Sequence, residues 1–392
     1  MHSGIFKTAL LGCALAVLLA SGAQAKFKLL HNFAGGFDGS IPGADLFIDG
    51  SGVLYGTTEA GGIGGNNGTL FKIVPGHREK VVHAFTGGAG DGAQPSGGVI
   101  ADRAGNLYGV TQGGGVNGLG VVYKLAPDGT ETLVHTFQGI CCGIDGSFPI
   151  GDLTFDAAGN MYGATTNGGS PADLGSVYEV KADGTELVLH GFAGGADGST
   201  PIGGAVIGKD GSLYGATYTG GASNVGTVYR ITSTGAESVL YSFVNNPSDG
   251  QYPFGGLLLD KAGNLYGALA QGGSAFGDGA LYIITPTQIE TLIHSFAGAD
   301  GALPSSGLIK DKNGNLYGTT YLGGTSNMGT VFKLRTSGEL KVLHSFNGSD
   351  GNNPQGRLAA DIDGNLYGTT QQGGANNLGV VFEITAKTRT AE

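Results

Sequence analysis

Short apolar stretches of three to seven residues, separated by clusters of Gly, Asn and Asp, follow one another along most of the chain. Examples of the four kinds of stretch are residues 255–260, 265–267, 329–334 and 340–346. Their alternating apolar and polar positions are typical of half-buried β-strands, and the Gly, Asn and Asp clusters suit the positive-φ positions of tight turns. No segment after the first 25 residues has a helical period. The pattern therefore predicts an all-β protein.

The four stretches form one unit of about fifty residues, and three sequence markers identify each copy of it. Leu-Tyr-Gly, with Met for Leu in one copy, recurs at Tyr55, Tyr108, Tyr162, Tyr214, Tyr266, Tyr317 and Tyr367. Asp-Gly-x-x-Pro begins at Asp38, Asp91, Asp145, Asp197, Asp249, Asp300 and Asp350. His-x-Phe begins at His31, His83, His135, His190, His294 and His344, and Tyr241 replaces the histidine once. Three markers in the same order indicate seven copies.

The sequence pattern of each copy predicts four antiparallel strands, A to D, and four such strands make up one β-propeller blade. Residues 27–33 match strand D and residues 379–384 match strand C, so the last copy lacks a strand D of its own. We expect the leading strand to complete that blade, three strands plus one, and to close the ring. The predicted fold is a single seven-bladed β-propeller over residues 26–386, followed by a short tail at 387–392. A β-solenoid is the rival arrangement, although its coils are usually shorter.

Residues 1–25 have the pattern of a signal peptide. Lys7 precedes an apolar run at 8–20, and small residues at Ala23 and Ala25 predict cleavage before Lys26. We therefore expect an exported protein, in the periplasm, at the cell surface or secreted. In a rival interpretation residues 10–13 form a lipobox and Cys13 carries a lipid. No second long apolar run follows, so we expect no integral membrane segment in the mature chain.

Composition narrows the range of partners. The chain has 79 glycines among 392 residues, few charged side chains and a net charge of −11. A sparse acidic surface argues against nucleic acid and anionic membranes, which both require clustered Lys and Arg. We expect a monomer. The adjacent Cys141 and Cys142 are a candidate vicinal disulfide in an exported protein, and the alternative is two loop cysteines without a structural role.

Residues that recur in every copy are predicted to be structural. The histidines lie on the outer strand of successive blades, too far apart to converge on one metal ion. The repeated aspartates lie in loops on one face, where they are expected to cap their own turns, and a Ca²⁺ site is the weaker alternative. The repeated aromatic residues are expected to fill the space between blades. We therefore assign no metal or other cofactor.

Departures from the repeat are better candidates for ligand binding. Three residues after its proline, strand A carries Asp45, Asp152 and Arg357 in three copies and glycine in the other four. Because strand A lines the channel of a propeller, these three charged residues are predicted to meet near the channel mouth. They would form either a polar ligand site or an ion pair between blades. Further candidates on the same face are Tyr252, Phe254, Phe276 and Asp278.

The repeat is similar to that of a known family. Its D-G-x-x-P, G-N-L-Y-G-T-T and G-T-V-F-K-L stretches, clearest at 315–320 and 329–334, resemble the repeat of choice-of-anchor tandem-repeat GloVer-containing proteins of bacteria. The resemblance extends over the chain after residue 25 and implies an exported or surface protein without known enzymatic activity. Members differ in the anchoring signal that follows the repeats, and no such signal is visible after residue 384. The strand order is also similar to that of kelch propellers.

No catalytic constellation is visible in the sequence. It contains no G-x-S-x-G elbow, no H-E-x-x-H helix and no phosphate loop, and we assign no catalytic residue. We predict a non-enzymatic binding or scaffold module for a glycan or protein ligand, acting through the face that carries the D-to-A and B-to-C loops. The alternative is a polysaccharide-acting hydrolase or lyase that uses Asp45, Asp152 and Arg357 at the channel mouth.

Overall fold

The computed structural model describes residues 25–139, 145–246, 248–273 and 277–385. Within these ranges the chain forms seven antiparallel sheets and a single short 3-10 helix, Gly195–Asp197. The sheets are arranged in a ring, so the predicted seven-bladed β-propeller is confirmed. No helix in the described ranges is long and apolar enough to cross a membrane. The predicted signal peptide, the lipobox with Cys13, Cys141, Cys142, Phe276 and the tail at 387–392 lie outside the described residues.

The strands follow the chain blade by blade, with strand A innermost. The first strand is β1 (Lys26–Asn32), which belongs to the seventh blade. Blade 1 contains β2 (Phe47–Ile48), β3 (Leu54–Thr58), β4 (Thr69–Ile73) and β5 (Glu79–Ala84). Blade 2 contains β6 (Gly92–Pro95), β7 (Ile100–Ala101), β8 (Leu107–Gly114), β9 (Val121–Leu125) and β10 (Glu131–Thr136). Blade 3 contains β11 (Gly146–Phe155), β12 (Met161–Gly168), β13 (Ser176–Val180) and β14 (Glu186–Gly191).

The remaining blades repeat this order. Blade 4 contains β15 (Ser199–Ile207), β16 (Leu213–Thr219), β17 (Thr227–Ile231) and β18 (Glu237–Ser242). Blade 5 contains β19 (Gln251–Leu259), β20 (Leu265–Gln271), β21 (Ala280–Ile284) and β22 (Glu290–Ser295). Blade 6 contains β23 (Ala302–Pro304), β24 (Ile309–Lys310), β25 (Leu316–Leu322), β26 (Thr330–Leu334) and β27 (Leu340–Ser345). Blade 7 contains β28 (Ala359–Ala360), β29 (Leu366–Thr370), β30 (Val380–Thr385) and β1.

The ring closes through the pairing of β1 with β30. Leu29 lies opposite Phe382 in this antiparallel pair, and the Phe33 N–H donates a hydrogen bond to the Gly379 carbonyl at 3.1 Å. Phe33 is completely buried against blade 1. The predicted closure by three strands plus one is therefore confirmed, and the edge that β30 would otherwise expose is covered.

Each interface between blades is built around one pair of aromatic rings. The Phe of His-x-Phe packs edge-on against the strand-C aromatic residue of the next blade, with centroids 5.1–5.3 Å apart. Edge-to-face contact at this distance is favourable because the positive ring edge meets the negative ring face. The seven pairs are Phe33–Phe71, Phe85–Tyr123, Phe137–Tyr178, Phe192–Tyr229, Phe243–Tyr282, Phe296–Phe332 and Phe346–Phe382. The predicted packing role of these residues is confirmed.

The histidine and aspartate markers contact each other in all six copies that carry the histidine. His Nε2 lies 2.9–3.3 Å from a carboxylate oxygen of the following Asp-Gly marker, as in His83 and Asp91. Each of these aspartates also accepts a hydrogen bond from the backbone N–H of the residue that follows the marker Phe. Where Tyr241 replaces histidine, its hydroxyl donates to Asp249 at 3.0 Å. The pair therefore fixes the D-to-A loop, as the turn-capping interpretation requires.

This equivalence of Tyr and His gives a first prediction. Tyr241→Phe removes the donor to Asp249, which is only 6% exposed, and is expected to lower the free energy of unfolding by about 1 kcal/mol. Tyr241→His restores the residue of the other six copies and is expected to change the stability by less than about 0.5 kcal/mol. Urea titrations of the two variants check this. A histidine variant as unstable as the phenylalanine variant would contradict the shared role.

Candidate functional site

The upper face, defined as the face with the D-to-A and B-to-C loops, has one constrained backbone position in every blade. The residue before each marker proline has a positive φ of 52–59° although none of the seven is glycine. Each donates its N–H to a carbonyl in the B-to-C loop of the preceding blade, which holds this costly conformation. These residues are Ile41, Gln94, Phe148, Thr200, Tyr252, Leu303 and Asn353.

The central channel is narrow because the strand-A backbones of neighbouring blades touch. Gly151 has φ +71°, and a Cβ there would lie 2.5 Å from the carbonyl carbon of Gly203 in the next blade. Gly203 and Gly255 are related in the same way. Only glycine allows this approach, and the cavity left at the axis has a volume of about 110 Å³.

Two layers of side chains line this cavity. The residues directly after the prolines form the channel mouth, nearer the upper face because they come earlier on strand A, and two residues further on lie the predicted charged positions. The channel mouth consists of Gly43, Ser96, Ile150, Ile202, Phe254, Ser305 and Gln355. All seven mouth residues are therefore uncharged, and the charged group lies beneath them.

Asp45, Asp152 and Arg357 form one ion-pair group across the channel. Arg357 Nε lies 3.0 Å from Asp45 Oδ2, and Arg357 Nη2 lies 2.7 Å from Asp152 Oδ2. The remaining carboxylate oxygens accept backbone hydrogen bonds, Asp45 Oδ1 from Arg357 at 2.6 Å and Asp152 Oδ1 from Gly98 at 2.8 Å. The structure thus brings together the three residues singled out from the sequence, and it links blades 1, 3 and 7 through them.

The electrostatics of this group favour a structural role. Burial raises the pKa of Asp152, and the adjacent Asp45 carboxyl raises it further. Both carboxyl groups are paired with the Arg357 guanidinium, whereas the two carboxyls of a retaining glycosidase flank the bond they cleave. Arg357 is therefore occupied by protein carboxylates. A contribution of these three residues to ligand binding stays a prediction.

A groove opens between blades 1 and 2 beside the channel mouth. This polar groove has a volume of 390 Å³, within the range of small-ligand sites. Its polar side chains are one carboxylate, one hydroxyl and four carboxamides, and Gly43, Ser96, Ile150 and Gln355 belong to both the groove and the mouth. The groove residues are Ile41, Gly43, Glu59, Ala60, Asn66, Gln94, Pro95, Ser96, Gln112, Ile150 and Gln355. The mouth and the groove therefore form one continuous surface.

The polar rim continues onto blade 6. Gln371 donates from its side-chain nitrogen to the side-chain oxygen of Gln355, and the Tyr321 hydroxyl donates to Gln371 Oε1 at 3.5 Å. Glu59, Gln112, Tyr321 and Gln371 all occupy the position two residues before the Gly-Gly pair of their copies. The repeat markers do not point to this position. Its variability among copies that are otherwise so similar was the available signal.

An aromatic cluster lies on the other side of the channel mouth. Tyr218 of blade 4 stacks on Tyr252 of blade 5 with centroids 5.0 Å apart, and it meets Phe254 edge-on at 6.1 Å. Phe254 also lines the channel, so the cluster reaches the mouth directly. Tyr252 and Phe254 were selected from the sequence, whereas Tyr218 was missed and again stands two residues before a Gly-Gly pair.

The repeat itself identifies the family. The family model of the Gloeobacter/Verrucomicrobia repeat matches residues 16–154, 65–275, 140–314 and 256–392. The chain belongs to this family. The resemblance to GloVer-containing tandem-repeat proteins is thereby confirmed. A search of curated proteins finds no match to this Gloeobacter/Verrucomicrobia repeat protein.

Solved structures with a similar fold cover most of this Gloeobacter/Verrucomicrobia repeat protein. The extracellular domain of a B. thetaiotaomicron protein named as a hybrid two-component system has a TM-score of 0.60 at 12% identity, covering 92% of this chain and 41% of its own. PorZ, named as a surface component of the type-IX secretion system of Porphyromonas gingivalis, has a TM-score of 0.57 at 14% identity, covering 91% of this chain and 48% of its own. A puromycin hydrolase has a TM-score of 0.56 at 14% identity, covering 84% of this chain and 50% of its own. At these identities the likeness shows the fold alone, and the chain spans half or less of each relative.

Asp278 of this Gloeobacter/Verrucomicrobia repeat protein lies at the end of the B-to-C loop of blade 5. Its backbone carbonyl accepts the hydrogen bond from Leu303, the constrained residue before the next proline, at 2.8 Å. This bond joins Asp278 to blade 6 rather than to the ion-pair group. The same bond is accepted in the other six copies by Asn67, Leu119, Leu174, Val225, Met328 and Leu378, so the backbone role is common to the repeat.

Acidic residues of the family repeat also gather at the outer ends of the blade interfaces. Among the residues that the structure describes, three clusters each contain three side chains whose potential ligand atoms lie within 4.8 Å of one another. Histidine, aspartate and glutamate are common metal ligands. The clusters are His83–Asp91–Glu131, His135–Asp145–Glu186 and His190–Asp197–Glu237. In all three the aspartate already accepts a backbone hydrogen bond, whereas Oε1 of the glutamate is buried without a partner.

Proposed function

We propose that this protein is an exported binding module whose ligand is a glycan lying on the upper face across the channel mouth. The single observation that carries the proposal is the continuous surface formed by the polar groove, the channel mouth and the aromatic cluster. Export is part of the proposal and is supported by the signal-peptide pattern of residues 1–25.

The chemistry of the groove suits a polyhydroxylated ligand. Each carboxamide offers both hydrogen-bond donors and an acceptor, which matches the dual character of a sugar hydroxyl. Asn66 Oδ1 is held by the Gly61 N–H at 2.7 Å, which orients that amide. In the described part of the chain, the side chains of Gln94 and Gln112 make no hydrogen bond, so both carboxamides remain available to a ligand.

The aromatic cluster supplies the complementary apolar surface. Sugar rings present C–H groups on one face, and such faces pack on flat aromatic rings with electrostatics similar to those of edge-on aromatic contacts. Tyr218 and Tyr252 keep their mutual stacking through the constrained backbone at Tyr252, whose φ is 59°. A preformed aromatic pair loses little conformational freedom when a ligand binds.

The hydrolase or lyase alternative is not favoured by an observation on this face. The two carboxyls that it requires are both paired with Arg357 beneath the mouth. Incubation with a panel of polysaccharides tests this alternative directly. If the wild-type protein releases oligosaccharide and a folded Asp152→Asn variant does not, the catalytic alternative would replace the binding proposal.

The binding proposal gives a second prediction. On a glycan array the wild-type protein is expected to bind at least one oligosaccharide, and the double variant Tyr218→Ala/Tyr252→Ala is expected to bind it about tenfold more weakly, which corresponds to about 1.4 kcal/mol. Isothermal titration with the selected oligosaccharide measures the loss.

The matched control is Phe37→Ala, which removes an aromatic side chain that is 74% exposed in another loop of the upper face. This variant is expected to bind as the wild type does. An equal loss in both variants would argue against the aromatic cluster as the site. If the protein binds no glycan on the array but binds a protein ligand, the ligand is a protein and the glycan proposal fails.

A further inference from the structure

Glu59 is the exceptional residue of the polar groove. It is the only carboxylate among the groove residues, and the six equivalent positions in the other copies carry no charge. Those positions are Gln112, Thr166, Tyr218, Ala270, Tyr321 and Gln371. Within the four described ranges no Lys, Arg or His lies at ion-pair distance from Glu59. A carboxylate at the rim of a site therefore remains without a cation.

The space in front of Glu59 is open because of a second departure from the repeat. Gly43 stands directly after the first marker proline, where the other copies carry Ser, Ile, Phe or Gln. A Cβ at Gly43 would come within 3.2 Å of Glu59 Oε1 and within 2.9 Å of Gln371 Nε2. Any side chain at this position would therefore crowd the carboxylate. Two unusual residues together make an accessible acidic subsite.

The charge around this subsite has one sign. Neither the polar groove nor the channel mouth contains a Lys, Arg or His, and the guanidinium of Arg357 below is held by two carboxylates. Desolvation in the groove raises the pKa of Glu59 above its ordinary value, so its ionised form would gain stabilisation from a nearby cation. A ligand cation would supply that stabilisation, whereas a uronate or sulfate group would be repelled.

Resting on the proposed function, we propose that the polar groove selects a glycan with a free primary ammonium group, such as a de-N-acetylated hexosamine, and that Glu59 pairs with this ammonium. An ammonium has three N–H donors and no acceptor. The carboxylate of Glu59 takes one of them, and the carboxamide oxygens of Gln94 and Gln112 lie in the same groove to take the others. A charge-assisted hydrogen bond of this kind is stronger than the bond between two neutral groups.

The test compares three β-1,4-linked oligomers of equal length: glucosamine, N-acetylglucosamine and a uronic acid. By isothermal titration at pH 6 and low salt, the wild-type protein is expected to bind the glucosamine oligomer about tenfold more tightly than the acetylated one and to bind the uronic acid oligomer most weakly. Glu59→Gln is expected to remove this preference, and Gln112→Glu, which adds a second carboxylate to the groove, is expected to increase it. Added salt is expected to reduce the preference in the wild type.

The outcomes separate the inference from the proposed function. Equal binding of the acetylated and free-amine oligomers, or a preference that survives in Glu59→Gln, would overturn the inference while glycan binding stands. If none of the oligomers binds but a lysine-rich peptide binds in a Glu59-dependent manner, both the inference and the glycan proposal fail in favour of a protein ligand. An unchanged thermal transition in Glu59→Gln shows that the fold is retained.

Discussion

Arg357→Met is expected to lower the free energy of unfolding by about 3–5 kcal/mol, because it leaves the carboxyls of Asp45 and Asp152 in the channel without their cation. Asp152 is only 18% exposed, and burial and the adjacent Asp45 already raise its pKa. In the variant, Asp152 can therefore take up a proton at low pH, which removes one of the unpaired charges. The loss is therefore expected to be larger at pH 8 than at pH 5. Denaturant titrations at both pH values measure it.

The chain offers a matched control for this prediction. Arg335 pairs with Glu339 at 2.7 Å on the surface, where the two side chains are 47% and 60% exposed. Arg335→Met is expected to change the stability by less than about 0.5 kcal/mol. In the Arg357→Met background, Asp152→Asn is expected to recover part of the loss because it removes one of the unpaired charges. Equal effects of the two arginine replacements would refute the structural role of the channel group.

The thermal stability of the protein is expected to fall as the pH rises from 5 to 8. Burial at the blade interfaces raises the pKa of Glu79, Glu131, Glu186 and Glu290 from 4.5 to about 7. A group with a raised pKa in the folded state stabilises the fold fully below its unfolded pKa, and this contribution is lost as the pH rises through its folded pKa. After allowance for solvent screening, we expect about 1 kcal/mol for each glutamate, or about 4 kcal/mol in all.

Calorimetric scans of the wild type and of a variant with all four glutamates changed to Gln check the pH dependence. The variant is expected to melt several degrees higher than the wild type at pH 8 and to show little change between pH 5 and 8. Two interfaces already lack the acid, with Leu340 and Phe27 at the equivalent position, and Phe27 stacks on His344 at 3.9 Å. The glutamate is thus dispensable for packing. A wild-type transition that does not move with pH would contradict the prediction.

The repeat explains why the fold could be predicted so fully. Each marker specifies a local contact. Glycine occupies a turn, the marker aspartate accepts a hydrogen bond from the backbone of its own D-to-A loop, and the Phe of His-x-Phe packs against the strand-C aromatic ring of the next blade. Residues such as Asp91 and Phe85 act within one copy or on the next copy. Interactions of this kind are visible in a sequence because they repeat at the same spacing.

The site was predicted only in part, and the missed residues show why. Tyr252, Phe254 and the ion-pair residues stood out because each breaks the repeat on strand A. Glu59 and Tyr218 stand at a position where five residue types occur in seven copies, so no single member departs from a consensus. Their importance depends on what lies opposite them across a blade boundary.

The seven blades, their strand order and the closure of the ring by residues 26–32 can be read from the repeat, because they depend on contacts between neighbouring copies. The pairing of Arg357 with both Asp45 and Asp152 cannot, and neither can the groove that Glu59 of blade 1, Gln94 of blade 2 and Gln355 of blade 7 share. Ring closure brings together residues about three hundred positions apart, and the spacing of a repeat does not record which side chains then face the same space.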